Sequence, residues 1–170
     1  MKNFSALIGG VFLIFIAAGL AGCSAKDPDF GVNAQTPVQV ERDVRALFAE
    51  LKSGDIEAAK AAGLIMLPSR WRAQGKQNEE LNALAARLKT ESLTQIGSIK
   101  IASRWALVDS ISLDGKPFQA EKPWFFFFYA GHWAWVTPSA FKDPAISGMM
   151  DVRFDRLYQQ WKADHGIASD

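Results

Sequence analysis

Residues 123–136 read PWFFFFYAGHWAWV, and nine of these fourteen positions are aromatic once His132 is counted. Aromatic side chains favour strands because flat rings pack well on a pleated surface. Ala130-Gly131-His132 interrupts the run, and Gly131 supplies the positive φ of a tight turn. The stretch therefore predicts two strands folded into a hairpin. Side chains alternate along a strand, so Trp124, Phe126 and Phe128 share one face, and Phe125, Phe127 and Tyr129 the other. Both faces are apolar, which predicts a central strand covered on both sides. At fourteen residues the stretch is too short to cross a bilayer, which takes about 20 apolar residues. Most of these rings read as plain core. The alternative is that one face, carrying Trp124, Phe126 and Phe128, binds a ligand or a second subunit.

N-terminal to the hairpin the period changes from helical to two. From Gly97, apolar residues occupy odd positions (Ile99, Ile101, Trp105, Leu107, Ile111, Leu113) and polar ones even positions (Ser98, Lys100, Arg104, Ser110, Ser112). This predicts one long, half-buried strand, bent or bulged near Ser103. Asp114-Gly115 is a hairpin signal, and Phe118–Lys122 begins the return strand, with a break at Pro123. An antiparallel meander of three or four strands is the expected sheet.

Upstream, Val40, Val44, Leu47, Phe48 and Leu51 mark one helix face, and Gly54 ends the helix. Glu41, Arg42, Asp43, Arg45 and Glu50 fall on its remaining, outward surface. Asp55 caps a second, short helix running to Leu64. Ser69–Lys76 reads as a basic loop. There Trp71 either plugs the edge of the core among solvated arginines or forms, with Arg70 and Arg72, a contact for an anion or a partner. A third helix is expected over Gln77–Ser92. A C-terminal helix over Met149–Asp164 carries Met150, Phe154, Leu157 and Trp161 as a stripe, and the second aromatic face of the hairpin is the candidate for what it covers. The fold class is thus α+β, with N-terminal amphipathic helices on a bent antiparallel sheet and a C-terminal helix.

Met1–Cys23 reads as an export leader: Lys2, an apolar stretch over Leu7–Leu20, then small residues. The ending Leu20-Ala21-Gly22-Cys23 resembles the lipobox of bacterial lipoproteins. That resemblance implies cleavage before Cys23, diacylation of its thiol and attachment to a membrane. Ser24 is unlike the Asp that marks inner-membrane retention in that family, which implies the outer membrane, facing the periplasm. Residues 1–22 are then a signal peptide, 23–37 a lipidated flexible tether, 38–165 one domain and 166–170 a frayed tail.

With 19 basic and 18 acidic residues and no basic stripe, nucleic acid is not an expected partner. Cys23 is the sole cysteine, so no intramolecular disulfide forms, and no Cys/His metal site is expected. No phosphate loop, dinucleotide fingerprint or nucleophile elbow is legible, and no cofactor is expected. The helices-then-bent-sheet layout is similar to the nuclear transport factor 2-like, or ketosteroid isomerase-like, cone. Leu47–Asp55 resembles that family's first helix and its Gly-Asp exit, and Trp133–Val136 its final strand. The cystatin-like fold gives a similar pattern. The resemblance implies a cavity in which an enzyme would keep a carboxylate, and Asp109, between Leu107 and Ile111, is the matching position. Asp109 is otherwise bonded near the sheet's open end, or turned outward by a bulge. Three functions follow: a non-enzymatic envelope lipoprotein binding a protein partner or a second copy of itself, a binder of a small apolar ligand, or an enzyme using Asp109.

Overall fold

The computed structural model describes residues 35–118 and 122–167. Helix α1 spans Pro37–Ser53. The Thr36 side chain accepts the Gln39 N–H at its start, and Gly54, at φ 85°, ends it. Val40, Val44, Leu47, Phe48 and Leu51 are its buried stripe. Asp55 caps α2, Ile56–Ala61, by accepting the Ala58 N–H. Helix α3 runs Trp71–Leu88. It starts before the expected Gln77 and absorbs most of the expected basic loop. Gly75 resembles a breaker, but mid-helix glycine costs only about 1 kcal/mol, and the interior stripe Gln77, Leu81, Leu84, Leu88 outweighs it.

Among the described residues seven antiparallel strands follow, in sheets ordered β1-β4-β5 and β2-β3-β6-β7. They are β1 Leu93–Ile96, β2 Ile99–Ala102, β3 Trp105–Val108, β4 Ile111–Leu113, β5 Lys116–Phe118, β6 Trp124–Tyr129 and β7 His132–Val136. The expected α+β class, antiparallel pairing and C-terminal helix are all present. The single long strand is not. The chain turns back at Ser103-Arg104, with Ser103 at φ 55°, so that Ala102 pairs with Trp105. A second break at Asp109-Ser110 separates β3 from β4. Gly97 N donates to Ser110 O and Asp109 N to Ser98 O, so the ladder continues through the kink and one bent hairpin, β1–β2 against β3–β4, joins the two sheets. Gly97 belongs there because a Cβ would lie 2.4 Å from Ser110 Oγ.

The β6–β7 hairpin is central, as its composition predicts. β6 lies between β3 and β7, and Ala130 and Gly131 turn the chain at φ 50° and 87°. One face, with Trp124, Phe126, Phe128, Trp133 and Trp135, packs with α1, α2 and α3 into the larger core. The other, with Trp105, Leu107, Phe125 and Phe127, is covered by α4 (Pro138–Phe141), α5 (Pro144–Ser147) and α6 (Val152–Asp164), through Ala140, Ile146, Phe154 and Trp161. The C-terminal helix thus takes the face proposed for it. Both clusters are built between Val40 and Trp161. A chain beginning at Gln35 therefore keeps every residue of both clusters and should fold by itself.

Asp43 departs from its outward assignment. It is buried, and its Oδ2 accepts the Trp133 N–H at 2.8 Å, while Gln39 Nε2 donates to Oδ1 and Oδ2 at 3.0 and 3.1 Å. This carboxylate holds α1 to the start of β7.

Candidate functional site

Trp71 stands at the first turn of α3 and is 85% exposed, and Leu67, four residues earlier, is 55% exposed. The reading of Trp71 as a core plug is corrected: Ser69 and Arg70 bend the chain before α3, and the helix begins with the indole outside. Exposing a ring this large forgoes roughly 1.5–3 kcal/mol of burial, so its position is informative.

The surroundings of Trp71 are built on two carboxylates. Asp143 is buried and accepts from Ser69 N and Ser69 Oγ, each at 2.8 Å, and from Arg70 N at 3.2 Å. It also caps α5 by accepting the Ala145 N–H at 3.0 Å. The Ala145 bond, then the Ser69 and Arg70 donors, hold its carboxyl below the usual Asp value against the opposing effect of burial. Glu80, on α3, accepts from Ser139 N at 3.1 Å and from Ser139 Oγ, tying α4 to α3. Gln77 Nε2 donates to Met66 O at 2.7 Å. The approach to α3 and the α3–α4 contact are therefore fixed by hydrogen bonds.

Between these braces runs an open groove of about 450 Å³, lined by Arg70, Trp71, Arg72, Lys76, Ser139 and Lys142. Among the described residues four cations and no carboxylate line it. Arg70 Nε lies 4.0 Å from Asp143 Oδ1, and the Arg70 side chain is largely exposed. The arrangement offers an apolar ring inside a positive field, suited to an acidic segment carrying an apolar anchor.

The other expected residues fall elsewhere. Phe126 and Phe128 are almost fully buried in the larger core beneath α1, α2 and α3, and Trp124, buried with them, reaches only the cavity at the sheet's end. Asp109 sits at the kink between β3 and β4 and is turned outward, one-third exposed. Its Oδ1 accepts the Trp161 indole N–H at 2.6 Å and lies 3.2 Å from His165 Nε2, while Trp161 and His165 stack at 4.1 Å. It latches the end of α6 to the sheet, in keeping with the alternatives of a bonded or outward-turned carboxylate. His132 is exposed at the start of β7. Cys23 lies outside the described residues. Among the described residues no cluster of three or more His, Cys, Asp or Glu side chains could hold a metal, and no helix is long and apolar enough to cross a membrane.

Sequence reasoning named Arg70, Trp71 and Arg72 but missed Lys76, Ser139 and Lys142. Ser139 and Lys142 reach the groove through α4, about seventy residues along the chain, and no local pattern announces that. Comparison with known families, curated proteins and solved structures returns no match for the chain.

Proposed function

We propose that this protein is a lipid-tethered, non-enzymatic docking module of the bacterial cell envelope, facing the periplasm. Its groove at Trp71 receives an acidic partner-protein segment bearing an apolar anchor. The observation that carries this reading is the exposed Trp71 within four cations on a braced scaffold. Tryptophan and arginine are the side chains enriched among interface hot spots, and the depression they share here is concave, which favours a segment over a flat bilayer. The lipobox-like Leu20–Cys23 supports the tether. Acylation at Cys23 would leave 13 residues, 24–36, before α1, a reach of at most about 45 Å from the membrane. An enzyme using Asp109 is disfavoured because that carboxylate is engaged by Trp161 and His165 at the kink.

The test uses the full-length protein in native envelopes. Cys23→Ser should abolish acyl labelling and leave the protein without its lipid anchor. Trp71→Ala and Arg72→Glu should each release the co-purified partner while leaving acylation intact, and recovery should fall with rising salt. Unchanged partner recovery with both variants would sink the docking assignment; membrane retention of unlabelled Cys23→Ser protein freed of its leader would sink the tether.

A further inference from the structure

We propose that a second cavity, between the sheet's end and helices α4 and α6, binds a small anionic amphiphile: a carboxylate on a short acyl or aryl body. It shares Lys142 with the Trp71 groove, but its ring walls are separate and it does not depend on the Trp71 assignment. The cavity measures about 450 Å³, within the size range of small-molecule sites. Its walls include Trp124, Phe125, Trp135, Phe141, Tyr158 and Trp161.

These rings are held in place by contacts among themselves and beyond. Phe141 and Tyr158 each meet the Phe125 ring at a centroid distance of 5.0 Å, the latter edge-on. Trp135 packs on Trp124 at 4.8 Å. Trp161 is fixed by its indole bond to Asp109 and its stacking on His165. Walls anchored this way keep their shape when the space is empty. A ring-lined interior offers little to water, which needs two to four polar partners, so an apolar body is the fitting occupant.

The charge at the mouth selects the head group. Lys122 and Lys142 line the cavity and are exposed, and among the described residues no acidic side chain lines it. A carboxylate held near these two ammonium groups would leave its tail among the rings, whereas a cationic amphiphile of equal size would be repelled. Asp109 acquires a positioning role here, since it holds the Trp161 wall without itself lining the cavity.

The experiment uses the chain from Gln35 onward and three probes of equal length: octanoate, 1-octanol and octylamine. Indole N–H resonances are followed by ¹⁵N NMR. Trp124 Nε1 is a sensitive reporter, being buried with no hydrogen-bond partner among the described residues. Octanoate should shift the Trp124, Trp135 and Trp161 signals saturably and leave that of Trp71 in place. Octanol should bind about tenfold more weakly or worse, and octylamine more weakly still. Lys122→Ala and Lys142→Ala should each weaken octanoate about threefold or more without altering octanol. Both changes are at exposed positions and leave the core intact. No saturable shift with millimolar octanoate, equal binding of all three probes, or indifference to both lysine changes would overturn the proposal.

Discussion

Replacing Asp43 by alanine should destabilise the domain by about 2–3 kcal/mol. The carboxylate is buried in α1, accepts the Trp133 N–H at 2.8 Å and takes both bonds from Gln39 Nε2. Hydrogen bonds to a charged group contribute roughly 1.5–3 kcal/mol, and losing the acceptor worsens the environment of a buried backbone donor. Burying a charge acts in the opposite direction, which keeps the expected loss within that range rather than at the sum of three bonds. Asp43→Asn keeps an acceptor and should cost about half as much. The assay is urea unfolding of the chain from Gln35, read by tryptophan emission. With a slope of about 2 kcal/mol per molar, the alanine variant should lower the midpoint by about 1 M at unchanged slope. A loss below about 0.5 kcal/mol, or an asparagine variant as damaged as the alanine one, would refute the view that this carboxylate fastens α1 to β7.

Ala130 holds φ 50° in an exposed two-residue turn, so Ala130→Asn, creating Asn-Gly, should raise stability by about 0.5–1 kcal/mol and the melting temperature by a few degrees; a lower melting temperature would count against the turn assignment. Trp133 is fully buried, and Trp133→Ala should cost roughly 3–5 kcal/mol; a cost under about 1 kcal/mol by the same urea assay would mean the ring is not core. Asp143 is held below its ordinary value first by the Ala145 N–H, and Asp151, the cap of α6, first by the Ser103 side chain. For carboxylates depressed in the folded state, the unfolded chain takes up protons first as pH falls. Their stabilisation is therefore complete at neutral pH and is lost progressively below about pH 5. Urea midpoints measured from pH 7 to pH 3 should stay level and then fall. Asp143→Asn should flatten that fall, and an equally steep fall in this variant would exclude Asp143 as a contributor.

The hairpin was legible because two signals agreed: aromatics at every position of β6, and a glycine in the break. The same logic foretold that helices would cover both faces, since neither face of Trp124–Tyr129 could remain in water. The sheet around it was less legible. Gly97–Leu113 alternates cleanly, yet Trp105 and Leu107 end in one core while Ile111 and Leu113 end in the other. Alternation reports burial without naming the face, and the break expected near Ser103 reads in the sequence as a bend, whereas the chain reverses there. Asp43 was misjudged because helical periodicity sorts residues by polarity and cannot see a backbone donor arriving from β7. Trp71 was misjudged in the other direction. A large ring reads as core by default, and only the start of α3 at that residue reveals the exposure. The groove itself depends on Lys142 and Ser139 arriving through α4, a tertiary fact.

The central claim is that Trp71 marks a docking surface, and site-specific photo-crosslinking in living cells tests it most directly. A photoreactive residue would replace Trp71, with Tyr129 and Val152, also exposed, as controls elsewhere on the body. Position 71 should give one discrete protein adduct, mapped to an acidic segment of the partner, and positions 129 and 152 none. Equal adducts from all three positions, crosslinking to lipid alone at 71, or no adduct at 71 would contradict that claim.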